Sequence, residues 1–310
     1  YVKTINECHV FEEMPIAEHR SRTRAFIKVQ DGCNQFCTYC IVPYARGRVR
    51  SRSIGSVCKE VQTLVNDGYI EFVLTGIHIA SYGKDLKDEI GLLNLIQAVA
   101  AVPGAKRIRL GSLEPLLLTD EFIDALTAIP SFCPHFHLSL QSGCDTVLKR
   151  MNRHYSTKQF KHITDYIESR FERPAITTDV IVGFPGETQK EFEITRDFLK
   201  TIGFYRMHIF KYSRRRGTKA SLFPHQIDEQ EKHRRSQELI QLSDQMEKSF
   251  LEVNTGFTST VLFEKYHEAG YYEGHTPNYI PVRIVTKEKI NGKLKDIVLH
   301  FNNKDKFMTD

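Results

Sequence analysis

Residues 24–52 read RAFIKVQDGCNQFCTYCIVPYARGRVRSR, an alternating apolar run that leads directly into three closely spaced cysteines. Cys33, Cys37 and Cys40 stand in a C-x3-C-x2-C spacing. If the seven cysteines of this 310-residue chain were scattered at random, about 0.004 such triplets would be expected. An odd number of cysteines without a secretory signal favours metal binding or reactive thiols over a disulfide framework.

Three thiolates on one short loop match three irons of a 4Fe–4S cluster and leave the fourth iron without a protein ligand. Two alternatives remain open from the residues alone. A structural zinc ion requires four protein ligands, and the next cysteine or histidine after Cys40 is Cys58. Cys37 and Cys40 also have the spacing of a redox-active pair. The remaining cysteines are isolated, which is typical of small buried thiols: Cys8, Cys58, Cys133 and Cys144.

Strand-like runs alternate with segments of helical spacing along most of the chain. The six predicted strands are Arg24–Gln30, Glu71–Gly76, Arg107–Leu113, His135–Ser142, Ile176–Phe184 and Phe204–Tyr212. Such alternation predicts an α/β fold in which a parallel sheet curls toward a barrel. Because chemistry in these folds occurs at the carboxyl ends of the strands, the cysteine loop and the basic run after the sixth strand are expected at the same mouth.

The fourth predicted strand separates apolar and polar residues onto two faces. Phe136, Leu138 and Leu140 share one face. The polar face carries His135, His137, Ser139 and Gln141. We expect the apolar face to pack against helices and the polar face to line the interior of the barrel, although an edge strand with a solvated face would give the same pattern. Gln141, at the end of this strand, is a candidate for contact with a polar ligand.

The chain carries a net charge of +5, and residues 204–220 contain six basic residues and no acidic one. A polyanion such as RNA could bind this run, but solvated loops explain such charges equally well.

A long polar helix is predicted from Asp228 to Val253, with Leu239, Leu242, Met246 and Phe250 as its apolar stripe. Period-two runs follow, at Thr258–Tyr266, Tyr279–Val285 and Lys295–Phe301, and predict a small all-β barrel.

No stretch approaches the roughly 18 consecutive apolar residues of a membrane helix, and no signal peptide precedes the core. The sequence therefore predicts a cytoplasmic protein without a membrane partner.

The cysteine segment resembles the cluster loop of radical S-adenosylmethionine enzymes, and specifically that of the methylthiotransferases. Five further stretches agree with this family in their order: LTGIHIASYG, RIRLGSLEP, HLSLQSGCDTVLKRMNRHY, TTDVIVGFPGET and YSRRRGTKA. The resemblance covers residues 20–250. The all-β segment that follows resembles the TRAM domain, an RNA-binding module. The resemblance implies three parts: a linker at 1–19, a radical-SAM partial (β/α)6 barrel at 20–253 and a TRAM-like domain at 254–310.

The resemblance also implies a set of site residues. Cys33, Cys37 and Cys40 would ligate one 4Fe–4S cluster, and S-adenosylmethionine would chelate the open iron and be cleaved by one electron from the cluster. The turn with Gly183, Gly186 and Glu187 would lie beside the adenosine, although a plain strand-to-helix turn would also fit. Gln141 and Arg153 are further candidates for cofactor contact. Residues 74–78 replace the Gly-Gly-Glu turn of many relatives, so the partners of the methionine amine are not assigned.

The implied reaction is insertion of a methylthio group at C2 of N6-threonylcarbamoyladenosine 37 in tRNA. The family alternatives are N6-isopentenyladenosine in tRNA and a ribosomal protein, and a non-catalytic zinc-containing RNA-binding protein is the alternative outside the family. Arg214, Arg215 and Arg216 are the predicted RNA-binding residues and would suit a threonyl carboxylate. The family further implies a reducing, flavodoxin-like electron donor. It also implies a second cluster in an N-terminal domain that this sequence lacks, so activity would be incomplete.

Overall fold

The computed structural model describes residues 10–12, 23–87, 90–302 and 307–309. The predicted linker at 1–19, including Cys8, lies outside these residues except for 10–12.

All six predicted strands of the core are present and run parallel, so the α/β partial barrel is confirmed. The strands are β1 (Arg24–Asp31), β2 (Arg50–Ser51), β3 (Glu71–Gly76), β4 (Arg107–Leu110), β5 (His135–Gln141), β6 (Ala175–Val182) and β7 (Arg206–Lys211). The strands form two sheets, with the strand orders β2-β1-β3-β4 and β5-β6-β7. Isolated parallel bridges join the two sheets, and one of these bridges pairs Leu113 with Leu138. The short β2, which was not predicted, pairs antiparallel with β1.

Helices cover the outer face of this curled sheet. They are α1 (Val42–Arg46), α2 (Ile54–Asn66), α3 (Leu92–Ala100), α4 (Asp120–Thr127), α5 (Asp145–Arg150), α6 (Thr157–Arg170), α7 (Gln189–Lys200) and α8 (Glu229–Val253). Helix α6 begins with a capping box of Ser156 and Gln159. Helix α7 begins with a capping box of Thr188 and Glu191. These caps fix the residue at which each helix begins.

The two faces of β5 are arranged as predicted. Phe136, Leu138 and Leu140 are fully buried against the helices. Each such side chain stabilises the fold by about 1.5–3 kcal/mol relative to an exposed one. His135, His137 and Ser139 are only half-buried because they face the interior of the barrel.

Helix α8 begins one residue after the predicted Asp228 and ends at the predicted Val253. Its predicted stripe packs against the apolar core, with Leu239 buried and Leu242, Met246 and Phe250 partly buried. The helix also buries charged residues that were not predicted, because Arg235 pairs with Glu187 and Glu247 pairs with Arg206 across the packing interface. Among the described residues, no helix is both long enough and apolar enough to span a membrane.

The C-terminal segment forms a six-stranded sheet in the order β11-β8-β9-β10-β13-β12. Its strands are β8 (Thr258–His267), β9 (Tyr271–His275), β10 (Pro281–Ile284), β11 (Leu294–Val298), β12 (His300–Asn302) and β13 (Phe307–Thr309). The predicted all-β segment is thus present. The predicted run from Tyr279 starts too early, because Tyr279 has a φ of +68° and lies in the turn before β10.

The C-terminal sheet covers the amino ends of the barrel strands. Arg107, the first residue of β4, donates to the carbonyl oxygens of Thr260 and of His275. Arg24, the first residue of β1, pairs with Glu264 at 2.9 Å. The ring of Tyr279 stacks on His135 at the start of β5 with 4.9 Å between centroids. The cysteine loop follows the carboxyl end of β1, so it lies at the opposite mouth, which the described residues of the C-terminal sheet do not cover.

Candidate cofactor site at the carboxyl mouth of the barrel

The three cysteines lie on the loop between β1 and α1. Cys33 and Cys37 are each 9 % exposed, and Cys40 is half-buried. Gly32 precedes them with a φ of +72°, and a Cβ at this position would stand 1.8 Å from the carbonyl oxygen of Arg48. Only glycine fits this close approach, and it lets the N–H of Cys33 donate to the carbonyl oxygen of Gly47 at 3.1 Å.

The end of α5 holds the cysteine loop in place. The Thr38 hydroxyl donates to the carbonyl oxygen of Arg150 at 2.9 Å, and the Thr38 N–H donates to Met151 at 3.0 Å. The Asn152 side-chain amide donates to the carbonyl oxygens of Gln35 and Phe36, each at 3.2 Å. The loop conformation is therefore set by a segment more than a hundred residues away, not by the loop alone.

Arg153 lies directly beside the cysteines. Its guanidinium donates to the Cys37 Sγ at 3.3 Å and to a carboxylate oxygen of Glu114 at 2.5 Å. A third bond joins its Nε to the Tyr155 hydroxyl at 3.0 Å. The side chain is 6 % exposed, so Arg153 contacts the Cys37 sulfur from within a buried network. A direct contact of Arg153 with S-adenosylmethionine stays a prediction.

Glu114 extends this network to the loop after β3. Its carboxylate lies 3.6 Å from His78 Nε2, and His78 Nδ1 bonds to the Ser81 hydroxyl at 2.8 Å. Burial acts to raise the pKa of Glu114, but His78 and Arg153 lower the pKa of this carboxyl below its usual value. An ionised Glu114 fixes the direction of the Arg153 guanidinium. The sequence analysis did not identify Glu114 or His78 as site residues. Both lie just after a strand in stretches that agree with the family, Glu114 in RIRLGSLEP and His78 in LTGIHIASYG.

The number of thiols bears on the metal groups considered from the sequence. A structural zinc ion requires four protein ligands, whereas the loop supplies three cysteines. Three thiolates on one loop match three irons of a 4Fe–4S cluster. The residues of the loop therefore fit an iron–sulfur cluster better than one structural zinc ion.

Burial and the neighbouring thiols raise the pKa of Cys33 to about 11. Burial and Cys37 likewise raise the pKa of Cys40, while Arg153 and Arg215 oppose that rise. The metal-free thiols of Cys33 and Cys40 are therefore protonated near neutral pH, and a bound metal group would displace their protons.

The turn after β6 lies close to the cysteine loop, because Phe184 of the turn and Tyr39 of the loop belong to one apolar cluster. Gly183 has a φ of +70°, and a Cβ there would stand 2.3 Å from the Lys232 side chain. Glu187 accepts from the Gly183 N–H and from Arg235 with its Oε2, each at 2.7 Å, and its side chain is 1 % exposed. Through these contacts the Glu187 carboxylate stabilises the turn itself. An adenosine contact of Gly183, Gly186 or Glu187 stays a prediction.

Gln141 ends β5 in the left-handed region, with a φ of +68°, beside an irregularity in the pairing of β5 with β6. This conformation is uncommon outside glycine and asparagine and occurs often at functional sites. It places Gln141 at the same carboxyl mouth as the cysteine loop. Its role as a cofactor contact stays a prediction.

Arg214, Arg215 and Arg216 form an exposed arginine loop after β7. The loop is tied to the cysteine loop, because the Ala220 N–H donates to the carbonyl oxygen of Thr38 at 2.8 Å. Arg214, Arg216 and Lys219 line an open cavity of about 500 Å³. The predicted meeting of the cysteines and the basic run at one mouth is confirmed. Four arginines also alternate just after the cysteines, at positions 46, 48, 50 and 52. Two of these, Arg50 and Arg52, are buried against Asp31 and Glu60 and do not add to the exposed positive charge of the mouth.

Arg150 and Glu191 connect the cysteine loop to the turn after β6. They form two side-chain hydrogen bonds, at 2.8 and 2.9 Å, and Arg150 also donates to the Gly186 carbonyl oxygen at 3.3 Å. Hydrogen bonding to Arg150 lowers the pKa of Glu191 to about 2.

Replacing Glu191 with glutamine is expected to lower the free energy of unfolding by about 1 kcal/mol at pH 7. Because the carboxyl pKa is lower in the folded chain than in the unfolded chain, the stability it contributes is complete above about pH 4.5 and is lost as the pH falls toward 2. Urea unfolding at pH 7, 4 and 3 checks this, with Glu193→Gln as the control because Glu193 accepts a hydrogen bond from the neutral Gln189 side chain at 2.9 Å. A Glu191→Gln deficit that stays constant across this range would contradict the assignment.

Comparison with known proteins identifies the family. The model of the radical SAM superfamily matches residues 27–199. The threonylcarbamoyladenosine tRNA methylthiotransferase MtaB of Bacillus subtilis is 41 % identical over 297 residues, which cover 94 % of this chain and 66 % of that protein. The tRNA-2-methylthio-N(6)-dimethylallyladenosine synthase of Caldicellulosiruptor saccharolyticus is 38 % identical, over 93 % of this chain and 59 % of its own length. This chain therefore spans two thirds or less of the length of these relatives.

A solved structure agrees with the fold. Coproporphyrinogen III oxidase (HemN) from Escherichia coli, described as a radical SAM enzyme, superposes with a TM-score of 0.53 at 13 % identity, over 84 % of this chain and 68 % of that one. With the family model matching more than half of its residues and a curled parallel sheet carrying the cysteine loop at its carboxyl mouth, the chain belongs to the radical SAM superfamily.

Proposed function

We propose that this chain is the radical-SAM core of a tRNA methylthiotransferase that modifies C2 of N6-threonylcarbamoyladenosine at position 37. The observation that carries the proposal is the three-cysteine loop at the open mouth of the barrel, in a chain that is 41 % identical to a protein named for this reaction. The proposed partners are tRNA and a reducing, flavodoxin-like protein. A second cluster in an N-terminal domain is part of the proposal, and it is consistent with the greater length of the relatives.

Cys33, Cys37 and Cys40 would hold one 4Fe–4S cluster, and the mouth around them would bind S-adenosylmethionine. When bound, the cluster supplies the electron that cleaves the cofactor between sulfur and C5′. Arg153 donates to the Cys37 sulfur and thereby stabilises negative charge on that ligand. The buried ion pair of Arg153 with Glu114 keeps this donor in position and excludes water from one side of the loop.

The choice of substrate rests on charge. A threonylcarbamoyl group carries a carboxylate, whereas a dimethylallyl group carries none. The exposed arginine loop lies beside the cysteine loop, where an anionic group of the modified base would reach a guanidinium. Competition binding tests the choice: the chain should prefer tRNA with the threonylcarbamoyl group over the same tRNA with a dimethylallyl group, and an equal or reversed preference would contradict the assigned substrate.

Replacing Arg214, Arg215 and Arg216 with glutamine is expected to weaken tRNA binding and to flatten its salt dependence. Each lost phosphate contact lowers the slope of log K against log salt by about 0.7–0.9. Filter binding over a salt series measures this, with Arg170→Gln on α6 as a control because Arg170 is half-exposed and paired with Asp124. An unchanged slope in the triple variant would contradict phosphate binding by the arginine loop.

A further inference from the structure

Two histidines and an aspartate meet on the inner face of the barrel, on strands distant in sequence from the cysteine loop. His137 lies on β5, Asp179 on β6 and His208 on β7. One ligand atom from each of the three side chains lies within 4.8 Å of the other two. The cluster is reached from the interior of the barrel, since Asp179 is 28 % exposed, His137 is 14 % exposed and His208 is exposed.

The strand register brings these residues together. His137 pairs with Thr177 across β5 and β6, and Asp179 pairs with His208 across β6 and β7. Thr177 and Asp179 are two residues apart and therefore share the inner face of β6. Neighbours in register on parallel strands project to the same side of the sheet. The cluster is thus built on rigid strands, where side-chain positions are more precise than on loops.

The hydrogen bonds orient His137 as a metal ligand is oriented. Its Nδ1 bonds to the Thr177 hydroxyl at 2.9 Å. Its Nε2 points at the Asp179 carboxylate, 3.2 Å from Oδ2. A ligating histidine commonly has its second nitrogen held by an oxygen in this way, which fixes the tautomer and the ring direction.

We propose that His137, Asp179 and His208 form a binding site for a divalent first-row metal ion of the zinc(II) type. Two imidazoles and one carboxylate are ligands that such ions accept in catalytic, open sites. Ligands about 2.1 Å from one ion and at a tetrahedral angle are roughly 3.4 Å apart, close to the 3.2 Å between His137 and Asp179. The ligand nitrogen of His208 lies within 4.8 Å of the other two ligand atoms, so a change in its side-chain torsions can bring it to the same ion.

The charges around the site also suit a cation. Asp179 supplies one negative charge to the ion. Arg206 is nearby, but its positive charge is compensated because its Nε donates to Glu247 at 3.1 Å. Arg206 therefore does not oppose the binding of a cation. The remaining coordination positions face the interior of the barrel and would accept an oxygen ligand such as water or a carboxylate. This inference does not depend on the proposed reaction.

Zinc binding to the anaerobically prepared, cluster-loaded chain tests the proposal, because the cluster then occupies the three cysteine thiols. After gel filtration, one zinc per chain is expected beside the cluster iron. X-ray absorption at the zinc edge should show nitrogen and oxygen ligands at about 2.0–2.2 Å. Sulfur ligands at about 2.3 Å, or no retained zinc, would overturn the site.

Two variants and a control separate this site from adventitious binding. His208→Ala should weaken zinc binding at least 10-fold, and Thr177→Val should weaken it about 10-fold through loss of the bond that orients His137. His208 is exposed, so its removal leaves the core intact. His233→Ala, an exposed histidine on α8, should bind zinc as the unchanged chain does. Equal affinity of His208→Ala and the unchanged chain would overturn the proposal.

Discussion

Replacing Cys33, Cys37 and Cys40 together with alanine is expected to reduce the iron content from about four atoms per chain to none. The three thiols lie on one loop that is held by α5, and three thiolates match three irons of a 4Fe–4S cluster. Among the described residues, the remaining cysteines are scattered over separate elements and offer no comparable set. Iron analysis and visible absorbance after anaerobic reconstitution measure this loss.

Cys58→Ala is the matched control for this variant. Cys58 is half-buried on α2, away from the cysteine loop, so its removal should leave the iron content unchanged. Circular dichroism checks that the triple variant still folds, because the described loop is held by backbone and Asn152 contacts that do not involve the thiols. Four irons retained by the folded triple variant would contradict the cluster assignment.

The second large effect is a separation of two reactions. With a strong reductant, this chain alone is expected to cleave S-adenosylmethionine slowly to 5′-deoxyadenosine and methionine, and to form no 2-methylthio-adenosine in tRNA. The described residues present one set of three cysteines on one loop. Without a second group that carries and positions the sulfur, the transfer step loses the proximity on which its rate depends.

Mass spectrometry of the small molecules and of digested tRNA nucleosides measures both reactions in one incubation. The triple cysteine variant serves as the control and should produce no 5′-deoxyadenosine. A 2-methylthio nucleoside formed by this chain alone would contradict the proposed need for a second cluster. Absence of 5′-deoxyadenosine from the reconstituted, reduced chain would contradict radical chemistry at the cysteine loop.

Much of the barrel is predictable from local patterns. The alternation in residues 135–141 predicts both the strand and its polar inner face, because a period of two directs successive side chains to opposite sides of a sheet. The cysteine spacing predicts the proposed metal-binding loop, because the three cysteines are close in sequence. The position of the arginine loop at the same mouth follows from the rule that parallel strands end at one edge.

Other parts of the site have no local signal. Arg153 and Glu114 are 39 residues apart, and Arg235 and Glu187 are 48 residues apart, so neither ion pair leaves a pattern along the chain. The same reason explains α8, where charged residues occupy the buried face because their partners lie on the barrel. Residues whose partners are distant in sequence can be identified only in the folded structure, where the two partners lie side by side.

Electron paramagnetic resonance of the reduced, reconstituted chain, recorded before and after addition of S-adenosylmethionine, tests the central claim most directly. The claim is that the cysteine loop holds a cluster with one iron open to this cofactor. The account predicts a signal from a reduced 4Fe–4S cluster, and a change in its g values when the cofactor ligates the open iron. No cluster signal, or a signal that S-adenosylmethionine leaves unchanged at saturating concentration, would contradict it.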